Sequence, residues 1–194
     1  MTTTTYIYMV RHGDSLKTSG NERSRFLSAQ GEKDAQRVTQ RLLGEGIDAL
    51  YSSPYTRAVD TIAGLAGALG KEIHKVEDLK EKCWTEDDRT LQDPELYPFL
   101  EQMFAEPDFV LEDGGESNRV CKERAVKALK EILRNHPGER IVIGTHGMVM
   151  TLMMNEFAEE YGLDFLLQTR KPDIYRMEMM DGLLSHVQRM PLDD

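Results

Sequence analysis

The sequence is poor in cysteine, in long apolar runs and, over one stretch, in positive charge. Each shortage closes off a class of protein. Cys83 and Cys121 are the only two cysteines in 194 residues. Their separation fits no zinc-binding spacing and no disulfide framework, so reduced thiols in a cytoplasmic setting are expected. No apolar run approaches the roughly 18–20 residues of a membrane-spanning helix. Met1 is followed by four threonines, without the basic start and apolar stretch of a signal peptide. Pro191-Leu192-Asp193-Asp194 holds no lipidation box, so no membrane association is expected.

Basic residues are outnumbered, 24 Lys and Arg against 34 Asp and Glu, for a net charge of −10. That balance argues against a protein that binds nucleic acid through bulk positive charge. The shortage is uneven. Residues 1–82 hold 12 basic and 11 acidic side chains, whereas residues 83–113 hold one basic and 10 acidic. Nearly all the excess charge therefore sits in 31 residues, where three of the seven prolines also fall.

What is present suffices for a core. Hydrophobic residues make up 40% of the chain and charged residues 30%, which suits one folded domain over residues 1–194. Tyr6 to Val10 is short and β-prone and reads as a buried strand. Ser28 is placed to cap a helix running to Leu43, with Val38 and Leu42 among its apolar positions. Ile47–Tyr51 reads as a strand, Tyr55–Leu69 as a helix and Glu72–Val76 as a third strand. Residues 83–113 read as an acidic, cap-like excursion with one or two short helices. Helical periodicity returns at Glu116 and stops at Pro137-Gly138. Arg140–Gly144 is the clearest buried strand, and a methionine-rich helix follows to about Phe157. Ile174–Met180 and Leu183–Met190 read as a hairpin joined by Asp181-Gly182. Strands alternating with helices predict an α/β protein, a three-layer α/β/α sandwich around a mainly parallel sheet. In such sheets ligands bind beyond the C-terminal strand ends.

Three segments fall at that position: Arg11-His12-Gly13, Ser52 to Arg57, and Thr145-His146-Gly147. A histidine after a strand is commonly an ordinary loop residue, and an arginine opening a helix is commonly solvated. Two histidines in the same strand-His-Gly context are harder to explain that way. Two guanidinium groups can neutralise a phosphate, one neutral imidazole can attack phosphorus, and a second can donate to a phosphoryl oxygen. A pair of unit charges about 4 Å apart is worth about 4 kcal/mol at an effective dielectric near 20. Two arginines at that range offset much of the cost of dehydrating a phosphate dianion.

The chain resembles the histidine phosphatase (phosphoglycerate mutase-like) superfamily. The resemblance rests on Val10-Arg11-His12-Gly13, on Leu27-Ser28 with Gly31, and on Tyr51-Ser52-Ser53-Pro54 with Arg57-Ala58 and Thr61. It continues through Gly115-Glu116-Ser117 and Val142-Ile143-Gly144-Thr145-His146-Gly147. It implies phosphomonoester hydrolysis through a phosphohistidine on His12, with Arg11, Arg57 and His146 binding the phosphoryl oxygens and no metal or other cofactor. The family's general acid lies in a Leu-Arg-Glu context after the third strand. Leu79-Lys80-Glu81 matches it, which makes Glu81 the candidate, with Glu86, Asp87 and Asp88 as alternatives if the register slips. Many members carry an asparagine six residues after the nucleophile. Thr18 stands there, its hydroxyl can donate to phosphate, and Ser15, Ser19 and Asn21 are close enough in sequence to serve instead. Lys17, Arg23 and Arg25 in the same loop either steer an anionic substrate or are ordinary solvated charge.

The resemblance implies a small phosphorylated metabolite or a phosphoprotein as partner. Mutase-type phosphoryl transfer is the alternative, a non-catalytic phosphate-binding module a further one, and a homodimer is compatible with either. The acidic segment 83–113 falls where the family places its cap. Glu86, Asp87 and Asp88 are therefore expected to select against highly charged substrates or to favour those with a cationic part.

Overall fold

The computed structural model describes residues 3–18 and 20–192. Its strands are β1 (Thr4–Arg11), β2 (Ala49–Ser52), β3 (Ile73–Lys75), β4 (Arg140–Thr145), β5 (Asp173–Met180) and β6 (Leu183–Arg189). Its helices are α1 (Ala29–Leu42), α2 (Thr56–Leu69), α3 (Asp93–Ala105), α4 (Asn118–Asn135), α5 (Gly147–Asn155) and α6 (Leu163–Gln168). The six strands form one sheet in the order β3-β2-β4-β1-β5-β6. β3, β2, β4 and β1 run parallel, β5 runs antiparallel to β1, and β6 runs antiparallel to β5.

Side chains of a strand point alternately to the two faces, so a sheet covered on both faces buries every position. β1 shows this directly. Ile7 and Met9 join a core with Leu129 of α4 and Val149 and Met153 of α5. Tyr8 and Val10 join a core with Val38 and Leu42 of α1 and Ile62 and Leu65 of α2. β4 divides the same way, with Ile141 and Ile143 on the first face and Val142 on the second. The three layers expected from the strand-helix alternation are therefore present.

Local signals set several element ends. The Ser28 side chain accepts from the Gly31 N–H and opens α1, and the Ser117 side chain accepts from the Val120 N–H and opens α4. α4 thus starts two residues later than its apolar periodicity suggests, because Glu116 is engaged elsewhere. Asp181 and Gly182 both have positive φ, 52° and 81°, as the two central residues of a type I′ hairpin turn require. The methionine-rich helix ends at Asn155, short of Phe157, and α6 follows without having been anticipated. The acidic stretch contributes one helix, α3, begun by a capping box between Gln92 and Glu95.

Candidate active site

Sheet register brings the two histidines together. Arg11 pairs with Thr145 across β1 and β4, so the residues that follow, His12 and His146, leave neighbouring parallel strands at the same level. The His12 N–H donates to the Thr145 carbonyl at 3.0 Å, and the two rings lie 5.2 Å apart edge to face. β2 lies on the other side of β4, so α2, which follows it, delivers Arg57 from its first turn into the same place. Thr61, one turn further along α2, accepts from the Gly13 N–H at 3.0 Å and donates to the Arg57 carbonyl at 2.7 Å. The loop that carries His12 is thereby tied to the helix that carries Arg57.

The hydrogen bonds assign the tautomer of His12. Its Nδ1 lies 2.6 Å from the Gly13 carbonyl, which can only accept, so Nδ1 carries the proton. Nε2 then holds a lone pair, and the Arg57 Nε–H donates to it at 3.2 Å. Burial, then the charges of Arg57, His146 and Arg11, hold His12 well below the usual histidine range. Burial and the same two arginines, with Arg25, do the same to His146. Both rings are neutral near pH 7, which leaves His12 nucleophilic.

His146 retains a spare donor. Ser53 Oγ accepts from the Tyr55 N–H at 3.2 Å, and its own hydrogen finds His146 Nε2 at 2.7 Å. That assignment leaves the proton on His146 Nδ1, a buried atom with no partner. Arg11 Nε is likewise buried and unpaired, while its Nη1 donates to the carbonyl and hydroxyl of Thr169 beyond α6. Unpaired buried donors cost stability, and an anion between them would satisfy both. Gly147 makes room for this arrangement, since a Cβ there would lie 2.8 Å from Arg11 Nη2.

Glu22 was not anticipated as part of the site. It is 5% exposed and accepts from Arg57 Nη2 at 2.7 Å and from Arg25 Nε at 3.2 Å, while its carbonyl accepts from Arg57 Nη1. Burial pushes the Arg57 guanidinium down to about 10, and Glu22 opposes that shift. One carboxylate between two arginines leaves a net single positive charge there. With Arg11 the total is two, which matches a phosphate dianion. The sequence signal for this role was the Glu22–Arg25 spacing in the loop after the histidine, a pattern shared with solvated loops.

Arg11, His12, Glu22 and Arg57 line a cavity of about 330 Å³, while His146 lies fully buried behind the lining, which its neighbour Gly147 reaches. Lys17, Arg25 and Lys171 join Arg11 and Arg57 around it, and Glu22, Glu81 and Asp93 are its carboxylates. The cavity is therefore locally positive in an acidic chain. Trp84, Leu96 and Leu100 from the former excursion and Leu166 and Leu167 from α6 form an apolar wall. Lys17 is held to Asp93 at 2.6 Å and to the Leu91 carbonyl at 3.1 Å.

Glu81 lies in this lining, and Glu86, Asp87 and Asp88 do not. Its Oε1 accepts from the N–H groups of Lys82 and Val149, both at 2.9 Å, and its Oε2 accepts from that of Met148 at 3.2 Å. It thus sits at the N-terminus of α5. A carboxylate offers about four lone-pair sites. Three are taken, and the remaining one is on Oε2. Thr18 is exposed and is not brought into the cavity; the preceding residue, Lys17, is. Ser15 accepts from Arg25, Asn21 is bonded to Ser24, and Ser19 lies outside the described residues. Arg23 pairs with Glu77 on the surface and does not line the cavity. Among the described residues no helix is long and apolar enough to cross a membrane, and no three His, Cys, Asp or Glu side chains are grouped to hold a metal ion.

The chain is also similar to known proteins in sequence and in fold. The chain is 32% identical over 160 residues to a metal-independent phosphoserine phosphatase of Arabidopsis thaliana, covering 75% of this chain and 66% of that protein. It is 33% identical over 159 residues to phosphoglycerate mutase-like protein 4 of the same plant, covering 74% and 67%. The chain therefore spans about two-thirds of the length of these relatives. Bacillus stearothermophilus YhfR superposes with a TM-score of 0.78 at 26% identity, over 95% of this chain and 96% of that one. The model of the histidine phosphatase superfamily (branch 1) matches residues 7–181, and the chain belongs to that family.

Proposed function

We propose that the chain, acting as one histidine phosphatase domain, hydrolyses small phosphomonoesters without a metal, through a phosphohistidine on His12. The observation that carries this reading is the neutral His12 Nε2 lone pair, set beside Arg57, in a site where Arg11 Nε and His146 Nδ1 are buried and unpaired. Nε2 attacks phosphorus in line. The bond from phosphorus to the ester oxygen breaks, its electron pair goes to that oxygen, and Glu81, which must enter this step carrying a proton on the free position of Oε2, gives up that proton to make the alcohol. Arg11, Arg57 and His146 Nδ1–H bind the three equatorial oxygens as charge redistributes. Water then attacks phosphorus, Glu81 takes its proton, and the electron pair of the N–P bond returns to Nε2.

The cavity of about 330 Å³ suits a metabolite more than a folded phosphoprotein. The relative named a metal-independent phosphoserine phosphatase makes phosphoserine the first substrate to assay. Free Cys83 and Cys121 fit a reducing, cytoplasmic setting. The test is hydrolysis of 4-nitrophenyl phosphate and phosphoserine by wild type and His12→Ala, with and without EDTA. Activity that survives EDTA and falls at least ~10³-fold in His12→Ala is expected. Equal activity in both proteins would overturn the mechanism. The resemblance to a phosphoglycerate mutase-like protein keeps phosphoryl transfer as a second reading. A resting protein heavier by one phosphoryl group in its intact mass would favour it.

A further inference from the structure

We propose that Arg124, held by Glu116, is a positioning residue that sets the Glu81 carboxyl for proton transfer to the leaving oxygen. The inference rests on the role given to Glu81 above and concerns two residues outside the cavity lining.

Arg124 lies on α4, and all five of its N–H donors are used. Nε donates to Glu116 Oε1 at 2.6 Å, and one Nη2 hydrogen goes to Glu116 Oε2 at 2.7 Å. The rest go to main-chain carbonyls of the segment that carries the acid. Nη1 reaches Asp78 at 2.7 Å and Lys80 at 3.0 Å, and Nη2 reaches Glu81 at 3.1 Å. Glu116 grips the same segment from its other end, because its Oε2 also accepts from the Cys83 N–H at 2.9 Å. Its main chain joins in. The Glu116 N–H donates to the Cys83 carbonyl at 2.7 Å, and the Glu116 carbonyl accepts from Lys82 Nζ.

The backbone beside this grip is committed to it. Gly115 has φ of +94°, and a Cβ there would lie 2.4 Å from the Cys83 carbonyl oxygen, so residues 115–116 approach 83–84 as closely as glycine allows. Burial opposes charge on both partners, yet each holds the other ionised: Glu116 raises Arg124, and Arg124 lowers Glu116.

Glu81 is thus held twice. Two N–H groups of α5 and that of Lys82 fix its carboxyl oxygens, and Arg124 fixes its carbonyl and those of Lys80 and Asp78. A fork of five donors spanning four residues cannot be reproduced by lysine, which has three donors on a point charge. A misplacement of about 1 Å at a reacting group is enough to cost about 10²-fold in rate.

The test separates positioning from general stability through the leaving group. Leaving 4-nitrophenolate needs no proton, whereas an alkoxide does. kcat/KM reports only the steps up to release of the alcohol, so dephosphorylation of His12 does not enter. The ratio of kcat/KM for phosphoserine to that for 4-nitrophenyl phosphate is measured for wild type, Glu81→Gln, Arg124→Lys, Arg124→Gln, Glu116→Gln and the double variant Arg124→Gln/Glu81→Gln. We expect Glu81→Gln to lower the ratio by about 10²-fold or more. Arg124→Lys and Arg124→Gln should lower it about 10-fold, with 4-nitrophenyl phosphate hydrolysis largely kept. The double variant should fall no further than Glu81→Gln, because Arg124 acts through Glu81. An equal loss on both substrates in the Arg124 variants, or an additive loss in the double variant, would overturn the positioning role alone. An unchanged ratio in Glu81→Gln would overturn the general-acid reading and this proposal with it. If Arg124→Gln does not fold, Arg124→Lys and Glu116→Gln carry the comparison.

Discussion

At the floor of the cavity His12 and Arg57 are 4% and 1% exposed, and each is held by at least two hydrogen bonds to groups that are themselves buried. On the wall, Lys17 and Asp93 face each other with 19% and 43% of their side chains exposed. The floor comes from strand ends and the first turn of a helix, where register leaves little freedom. The wall comes from α3, α6 and the loop after His12, and it includes side chains as exposed as Tyr97 and Leu167. Charge is expensive to bury unpaired and cheap to display, so the floor is committed to one chemistry while the wall can vary with the substrate.

The largest expected effect is at the floor. Arg57→Ala should lower kcat/KM by about 10²–10³-fold, as loss of a preorganised charge usually does. It should also change the pH profile. His12 works only unprotonated, so activity is lost as pH falls through its pKa, and in wild type that limb lies well below the usual histidine value near 6.5. Burial remains in the variant but the Arg57 charge is gone, so the limb moves to higher pH. A limb that stays in place would show that Arg57 does not tune His12.

Next comes Glu22. Glu22→Gln leaves two buried guanidinium groups without their shared carboxylate, and a stability loss of about 3 kcal/mol is expected in urea or thermal unfolding. Inhibition by inorganic phosphate should strengthen, because the site becomes more positive. A variant as stable as wild type would place Glu22 with the adaptable wall instead.

Changes at the wall should be smaller and substrate-dependent. Asp93→Asn frees Lys17, and KM should fall about 2–5-fold for phosphoserine, which carries a carboxylate, but not for a simple alkyl phosphate. Equal effects on both would remove any role of this pair in selecting substrates. The smallest effect is expected from Glu86→Gln, Asp87→Asn and Asp88→Asn together. These residues lie outside the cavity lining, so kcat/KM for polyphosphorylated compounds should change less than about 2-fold. The acidic sequence alone had pointed the other way. A large rise would show that the rim field reaches the phosphate after all.

The same division explains what could be read from the sequence. His12, His146, Arg11 and Arg57 were legible because strand ends and sharp turns leave marks in residue type and spacing. Ser28 and Asp181-Gly182 were legible for the same reason. Glu22 was not, because a buried carboxylate in a charged loop looks like a solvated one until Arg57 and Arg25 are brought to it. Thr169, which orients Arg11 from 158 residues away, left no local mark either. α6 was missed because six residues, none of them fully buried, give too little periodicity to detect. Thr18 was placed by analogy with a spacing, and the loop turns it outward.

The position of β1 in the sheet also governs when the catalytic site can come into being. β1 precedes the other five strands of the sheet, yet its partners are β4, paired through Tyr6 and Arg140, and β5, paired through Thr4 and Met180. Both contacts close loops of well over a hundred residues. Pairings of such sequence separation form late and slowly. A chain emerging from the ribosome holds His12 and Arg11 on a strand with neither neighbour until β4 appears, and with one open edge until residue 180 follows. The nucleophile is therefore not assembled before β4, at residues 140–145, has been made, and a chain that stops before β5 would leave the edge of β1 open to pair with another molecule.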